Sequence, residues 1–257
     1  MVKKIAYYNE VDPYAVEWLR TLIKEGHIAP GIVDDRSIED VTPNDLEGFN
    51  QCHFFAGIGI WSLSLKQAGW PDEQPVWTGS CPCQPFSQAG KKVGFADQRH
   101  LWPALHWLIK QCQPDVIFGE QVPSKDGLSW FDVVQSDMEG EDYSCGGAVL
   151  CAAGAGLPHI RQRLFWVANA NSRRIPGFQP TTNLSQVGQR WSCSKMDLQQ
   201  ILDSPFLQGD SWPQPLLRSM DDGYTTRVGR LRAYGNAISP YVAKEFIESY
   251  LSTRTLI

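Results

Sequence analysis

The strongest constraint on this chain is an alternation. From Lys4 to Ala168, short apolar and β-branched runs take turns with stretches of helical periodicity. Strands are predicted at Lys4–Tyr8, near Ile32–Val41, and at Gln51–Ala56, Val76–Thr78, Val116–Gly119, Ala148–Ala153 and Leu164–Ala168. Helices are predicted at Pro13–Lys24, Ile60–Ala68, His100–Cys112 and Leu128–Met138. Asp12 is placed to cap the first helix, with Pro13 at its first position. Strands separated by helices are joined by crossovers rather than hairpins. The expected class is therefore α/β, a mostly parallel sheet with helices on both faces.

The texture changes after Asn169. Residues 169–227 are rich in Ser, Thr, Gln, Pro and Trp, with weak periodicity, and read as a small irregular second domain. Leu231–Leu251 returns to a helical pattern, entered through Gly235-Asn236. The expected division is one domain from residues 1–168 with 228–257, and a second at 169–227. Net charge is −5, yet residues 159–257 carry 12 Lys/Arg against 7 Asp/Glu. That third, where Arg161, Arg163, Arg173, Arg174 and Arg190 fall, could meet a polyanion as the acidic remainder could not; a solvated surface with random charge drift is the equal alternative on charge alone. The seven cysteines show no C-x-x-C spacing, so no metal is expected and a reduced, cytoplasmic compartment is. No apolar run reaches the ~18 residues of a membrane span.

Two segments carry chemistry. Phe54-Phe55-Ala56-Gly57-Ile58-Gly59 is a strand, a glycine turn and a helix start. Such a turn lets backbone approach a ligand closely, although by itself it is also a plain βα connection. Gly79-Ser80-Cys81-Pro82-Cys83-Gln84-Pro85-Phe86-Ser87 follows a strand end, where α/β sheets place their sites. A cysteine between Pro82 and Gln84 in a loop is poorly placed for core packing and suits a nucleophile that works as a thiolate. Cys81 beside it leaves a redox pair open.

Pro82-Cys83-Gln84 with Phe55-Ala56-Gly57-Ile58-Gly59 upstream resembles the cytosine-C5 DNA methyltransferases. Residues 90–99 resemble that family's mobile loop, and Glu120-Gln121-Val122 stands where it carries Glu-Asn-Val. Pro158-His159-Ile160-Arg161-Gln162-Arg163 resembles its Q-x-R-x-R motif, and Gly235-Asn236-Ala237-Ile238 its G-N-S-V. The resemblance implies a Rossmann-like catalytic domain that uses S-adenosyl-L-methionine to methylate C5 of a cytosine flipped from double-stranded DNA. It implies Cys83 as nucleophile, Glu120 as the acid at cytosine N3, Arg163 at O2, and Arg161 beside the site. It implies cofactor contacts from Phe55, Gly57, Gly59, Glu10, Val11, Ser37, Ile38, Pro82, Leu101, Asn236 and Ala237. Gln84, Ser87, Arg99, Arg173, Arg174 and Arg190 are the expected DNA contacts, with residues 169–227 reading the target.

Four departures stand out. Gln121 replaces Asn, His159 replaces the first Gln, and Ala237 replaces Ser or Thr. Glu10, the matched ribose acid, precedes the glycine turn instead of following it, so the motif order is partly permuted. Glu10 and Phe55 then meet only if their strands lie side by side. In that case the helix Ile60–Ala68 takes the opposite sheet face from its usual family place, or makes a left-handed crossover. The compact chain suggests a monomeric bacterial enzyme of phage or prophage type. A tRNA substrate and a non-catalytic DNA-binding protein are the competing readings.

Overall fold

The computed structural model describes residues 5–82, 101–157, 159–170 and 237–255. They form a seven-stranded sheet with helices on both faces. In chain order the strands are β1 (Ala6–Asn9), β2 (Gly31–Asp34), β3 (Gln51–Phe54), β4 (Val76–Gly79), β5 (Val116–Gln121), β6 (Tyr143–Cys151) and β7 (Gln162–Ala170). The helices are α1 (Pro13–Lys24), α2 (Ile60–Gln67), α3 (Trp102–Cys112), α4 (Lys125–Gly140) and α5 (Pro240–Thr255). Across the sheet the order is β2-β1-β3-β4-β5-β7-β6. Only β7 runs against the rest, antiparallel to both β5 and β6.

Local chemistry sets the element ends. Asp12 Oδ1 accepts from the Tyr14 and Ala15 amides at 3.0 and 3.2 Å, and Pro13 opens α1. Ser124 caps α4 by accepting from the Gly127 amide at 3.0 Å. The strand expected near Ile32–Val41 stops at Asp34. There Arg36 folds back on Asp34, and Ser37 starts a 3₁₀ turn at Ile38–Asp40. The strand expected at Ala148–Ala153 begins earlier, at Tyr143. Gly146-Gly147 hid it from a propensity reading. Gly147 is small for a reason: a Cβ there would lie 3.1 Å from the Phe165 carbonyl and 3.2 Å from the Phe131 ring.

Alternation along β1 divides the core. Tyr7 faces one layer with Phe54, Trp77, Ile117 and Trp166, covered by α3 and α4. Ala6 and Tyr8 face the other with Leu19 of α1, and further along that face Trp61 and Leu65 of α2 pack with Val242 and Ile247 of α5. Tyr8 donates or accepts a 2.9 Å hydrogen bond with Ser62 of α2, so α1 and α2 share a face.

That sharing fixes the hand of the crossovers. The step β1–α1–β2 moves toward one edge of the sheet, and β3–α2–β4 toward the other, with both helices on one face. The two crossovers therefore have opposite hands. The step β4–α3–β5 moves the same way as β3–α2–β4 but with its helix on the other face, so it shares the hand of β1–α1–β2. Right-handed crossovers make up ~98% of such units. The odd one, β3–α2–β4, is the left-handed crossover.

Candidate active site

The carboxyl ends of β1, β3, β4 and β5 come together, the place where open α/β sheets bind ligands. At the β1–β3 end, Glu10 lies 47 residues before Gly57, yet its Oε2 accepts from the Gly57 amide at 2.7 Å. Its Oε1 accepts from the Asp12 amide at 2.9 Å. The glycine turn around it is left-handed at Phe55 (φ 51°), Gly57 (φ 54°) and Gly59 (φ 80°). Gly59 is required on two grounds, because a Cβ there would also press within 3.1 Å of Leu19. A Cβ at Gly57 would meet nothing within 4 Å, so the backbone there faces open space.

Asn9 braces this corner and carried no signal in the sequence. It is 2% exposed, its Nδ2 donates to the Arg36 carbonyl at 2.8 Å, and its own carbonyl accepts from the Ala56 amide. Next to it Tyr7 donates to Asp34 Oδ2 at 2.6 Å, and Arg36 pairs with Asp34 and Asp45. Burial would raise the Asp34 carboxyl, but the hydrogen bonds from Arg36 and Tyr7 outweigh it and hold it at about 2. Ser37 caps the 3₁₀ turn, and the Ile38 side chain is buried in the core. Val11 is 58% exposed beside Glu10.

At the β4–β5 end stands Glu120, 8% exposed. Arg163 Nε lies 2.8 Å from Glu120 Oε1. Burial pushes the Glu120 carboxyl up to about 7, against the pull of the Arg163 and Arg161 charges and of a hydrogen bond from Ser80. Arg161 donates to the Ala237 carbonyl at 2.9 Å, which ties the start of β7 to the residues leading into α5. Gln121 is buried and donates through Nε2 to the Cys81 carbonyl at 3.2 Å, while its Oε1 accepts from the Val122 amide. The longer side chain therefore still reaches the loop that leads to Cys83. Trp61 Nε1 donates to Ser80 Oγ at 3.0 Å. Neither Trp61 nor Ser80 stood out in the sequence, since a Trp in a helix and a Ser in a turn have ordinary structural uses.

The strand that carries Glu120 makes room for a core ring on its other face. Gly119 precedes Glu120, and a Cβ there would lie 2.1 Å from the Trp166 ring. Cys81 is buried, and Leu101 sits at the start of α3 packed against the core. Cys83, Gln84, Ser87, Arg99, Arg173, Arg174, Arg190 and Asn236 lie outside the described residues. Among the described residues there is no group of three His, Cys, Asp or Glu able to hold a metal, and no helix long and apolar enough to cross a membrane.

The family of C-5 cytosine-specific DNA methylases matches this chain over residues 69–213, more than half its length. The chain belongs to that family.

Its similarity to individual members is partial. It is 34% identical over 113 residues to the Type II methyltransferase M.HhaI of Haemophilus parahaemolyticus, covering 42% of this chain and 34% of that one. It is 36% identical over 101 residues to the Type II methyltransferase M1.ScrFI of Lactococcus lactis subsp. cremoris, covering 38% and 26%. The match spans about a third or less of these relatives. A solved DNMT2 structure from Spodoptera frugiperda superposes with a TM-score of 0.48 at 19% identity, over 70% of this chain and 46% of that one. The residues singled out by the sequence motifs divide between the two corners of the sheet end just described. Glu10, Phe55, Gly57 and Gly59 occupy the first, and Glu120, Arg161 and Arg163 the second.

Proposed function

We propose that this chain is a DNA (cytosine-5-)-methyltransferase acting on a cytosine flipped out of double-stranded DNA, with S-adenosyl-L-methionine as donor. One observation carries the reading. A buried carboxyl, Glu120, is held by Arg163 at 2.8 Å with an affinity for protons near neutrality, one strand from the end of β4 that leads to Cys81 and Pro82. An acid poised near pH 7 suits proton transfer to a base ring.

The first corner fits the cofactor. Open space faces Gly57, and the Glu10 carboxylate stands beside it for the ribose hydroxyls. Phe55, Val11, Ser37, Ile38, Pro82, Leu101, Asn236 and Ala237 complete the set by resemblance. When bound, S-adenosyl-L-methionine supplies an electrophilic methyl group. The chain does the rest. The Cys83 thiolate adds to cytosine C6, and Glu120 gives a proton to N3, which turns the ring into an enamine nucleophilic at C5. Arg163 keeps the Glu120 carboxyl oriented and faces O2. Bonding of C5 to the methyl group, loss of the C5 proton, return of the N3 proton to Glu120 and departure of the Cys83 sulfur then release the methylated base.

Residues 169–227 would read a short target, and Gln84, Ser87, Arg99, Arg173, Arg174 and Arg190 would meet DNA. We also read the chain as a monomeric bacterial, phage-type member in which the segment ahead of β3 has been moved from its usual place after α2. The lateral neighbours β1 and β3 and the left-handed crossover support that reading. The test is methyl transfer from labelled cofactor to duplex DNA and to tRNA, with bisulfite sequencing of DNA from expressing cells. Label in duplex DNA at cytosine, lost in Cys83→Ser, is expected. Label in tRNA alone, or none in either, overturns the proposal.

A further inference from the structure

Between the two corners runs a short polar chain that the mechanism above does not use. The Trp61 indole N–H of α2 donates to Ser80 Oγ at 3.0 Å. Ser80 follows the last residue of β4, and Gly79 of β4 pairs with Gly119 of β5, which brings Ser80 alongside Glu120. Continuing that parallel register, Ser80 is the lateral neighbour of Glu120, and its hydroxyl is among the groups that draw the carboxyl toward its charged form. Because the indole can only donate, it occupies a lone pair of Ser80 Oγ and leaves the hydroxyl proton to point at the carboxylate. Trp61 is itself fixed, 4% exposed and stacked on Phe118 at 6.0 Å.

We infer that Ser80, oriented by Trp61, is a positioning residue that sets the direction and proton affinity of Glu120. Glu120 is thus addressed from two sides. Arg163 holds Oε1 from β7, Arg161 adds its charge from the segment before β7, and Ser80 offers its hydroxyl from the end of β4. Burial drives the carboxyl toward its protonated form, and these three groups oppose it. Of the three, the hydroxyl is the one that can be removed without leaving an unpaired charge, because Arg163 and Arg161 are cations. It is therefore the fine adjustment of an acid that must give up a proton and recover it.

This inference rests on the proposed role of Glu120, and the test separates the two. In the full-length protein, the carboxyl carbons of glutamate are labelled with ¹³C, and the Glu120 signal is assigned by its loss in Glu120→Gln. Its titration is followed in wild type, Ser80→Ala, Ser80→Thr and Trp61→Phe. Losing a donor to the carboxylate raises its pKa. In Ser80→Ala the midpoint should rise by about one pH unit, the scale of a hydrogen bond to a charged group. Ser80→Thr, which keeps the hydroxyl, should titrate like wild type, and Trp61→Phe should rise by less than Ser80→Ala. In methyl transfer the alkaline limb of kcat should move up in the same order, since the protonated form is the donor. A Ser80→Ala midpoint unchanged from wild type, or a Ser80→Thr midpoint that rises equally, overturns the inference. A wild type that transfers no methyl group while these midpoints still shift overturns the proposed function and leaves the Ser80 inference standing.

Discussion

The two halves of the sheet build their parts of the site by different means. The β2-β1-β3 half supplies backbone and an open acid: Gly57 and Asp12 amides on Glu10, and Asn9 bracing the strand ends. The β4-β5-β7 half supplies a closed pair, Glu120 with Arg163, on the sheet face that carries Trp61, Phe118 and Phe165. In the first half the acid lies upstream in the chain of the glycine turn it bonds. The second follows the chain from β4 to β5, with Arg163 arriving on β7. What the pair of corners shares is position at the carboxyl ends of neighbouring strands. Lateral adjacency, not sequence order, makes the site.

The sharpest separation of the halves comes from the nucleophile. Cys83→Ser should abolish methyl transfer by orders of magnitude, because a serine hydroxyl at neutral pH lacks thiolate reactivity. Cofactor affinity should stay close to wild type. Duplexes carrying 5-fluorocytosine should trap the wild type covalently and Cys81→Ser as well. Trapping that persists in Cys83→Ser and vanishes in Cys81→Ser would reverse the assignment. Cys81 is buried with its carbonyl bound by Gln121, a structural setting.

Glu120→Gln comes next. It keeps the shape and removes the proton, and general acid catalysis of this kind contributes roughly 10²–10⁴-fold. In the wild type, kcat should fall as pH rises through about 7, because the carboxyl is raised by burial and its protonated form acts. A profile flat from pH 6 to 9, measured at saturating cofactor, would remove Glu120 from the acid role.

How far the sequence foretold this comparison depends on the kind of signal. The β/α alternation was legible because periodicity reports burial directly. Glu120 and Arg163 were legible only through their motifs, since a carboxylate at a strand end has no pattern of its own. Asn9, Trp61 and Ser80 were invisible, because their roles exist only once β1, β3, β4 and α2 are packed. β6 was clipped because Gly146-Gly147 lowers strand propensity while close packing against Phe131 and Phe165 demands it. Gln121 was noticed as a departure, and its hydrogen bond to the Cys81 carbonyl shows the substitution accommodated.

In the other half, Glu10→Ala should act mainly on cofactor binding. The carboxylate makes charge-assisted contacts, and losing one to a ligand costs about 1.5–3 kcal/mol, roughly 10–100-fold in Kd. Isothermal titration with S-adenosyl-L-methionine checks it. An unchanged Kd would reduce Asn9-Glu10-Val11-Asp12 to a capping segment for α1.

The smallest expected effect tests the comparison most directly, because it rewires the chain and leaves every residue of the site in place. The segment from residue 5 to 50 begins and ends at one spot. The Ile5 carbonyl accepts from the Asn50 and Gln51 amides at 3.0 and 2.9 Å. The other join is close too: the Val76 amide donates to the Asn50 carbonyl at 3.1 Å, and Gln51 Nε2 to the Asp72 carbonyl at 3.4 Å. A chain ordered 51–73, 5–50, 76–257, joined by short Gly/Ser linkers, can therefore follow the same path through space. In it α2 leads from β3 back to β1, and the left-handed crossover disappears. The link from β2 then reaches β4 past the face that holds Ile38 and Leu46, with the ordinary hand. The rewired protein should fold to the same sheet, bind cofactor within a few-fold of wild type, and melt within a few degrees of it. Loop closure changes by only about (3/2)RT times the logarithm of a length ratio, so the connections weigh little against the unchanged core. Circular dichroism melts and cofactor titration read the outcome. A rewired chain that fails to fold would mean that connection order, and not strand adjacency alone, holds Glu10 against Gly57.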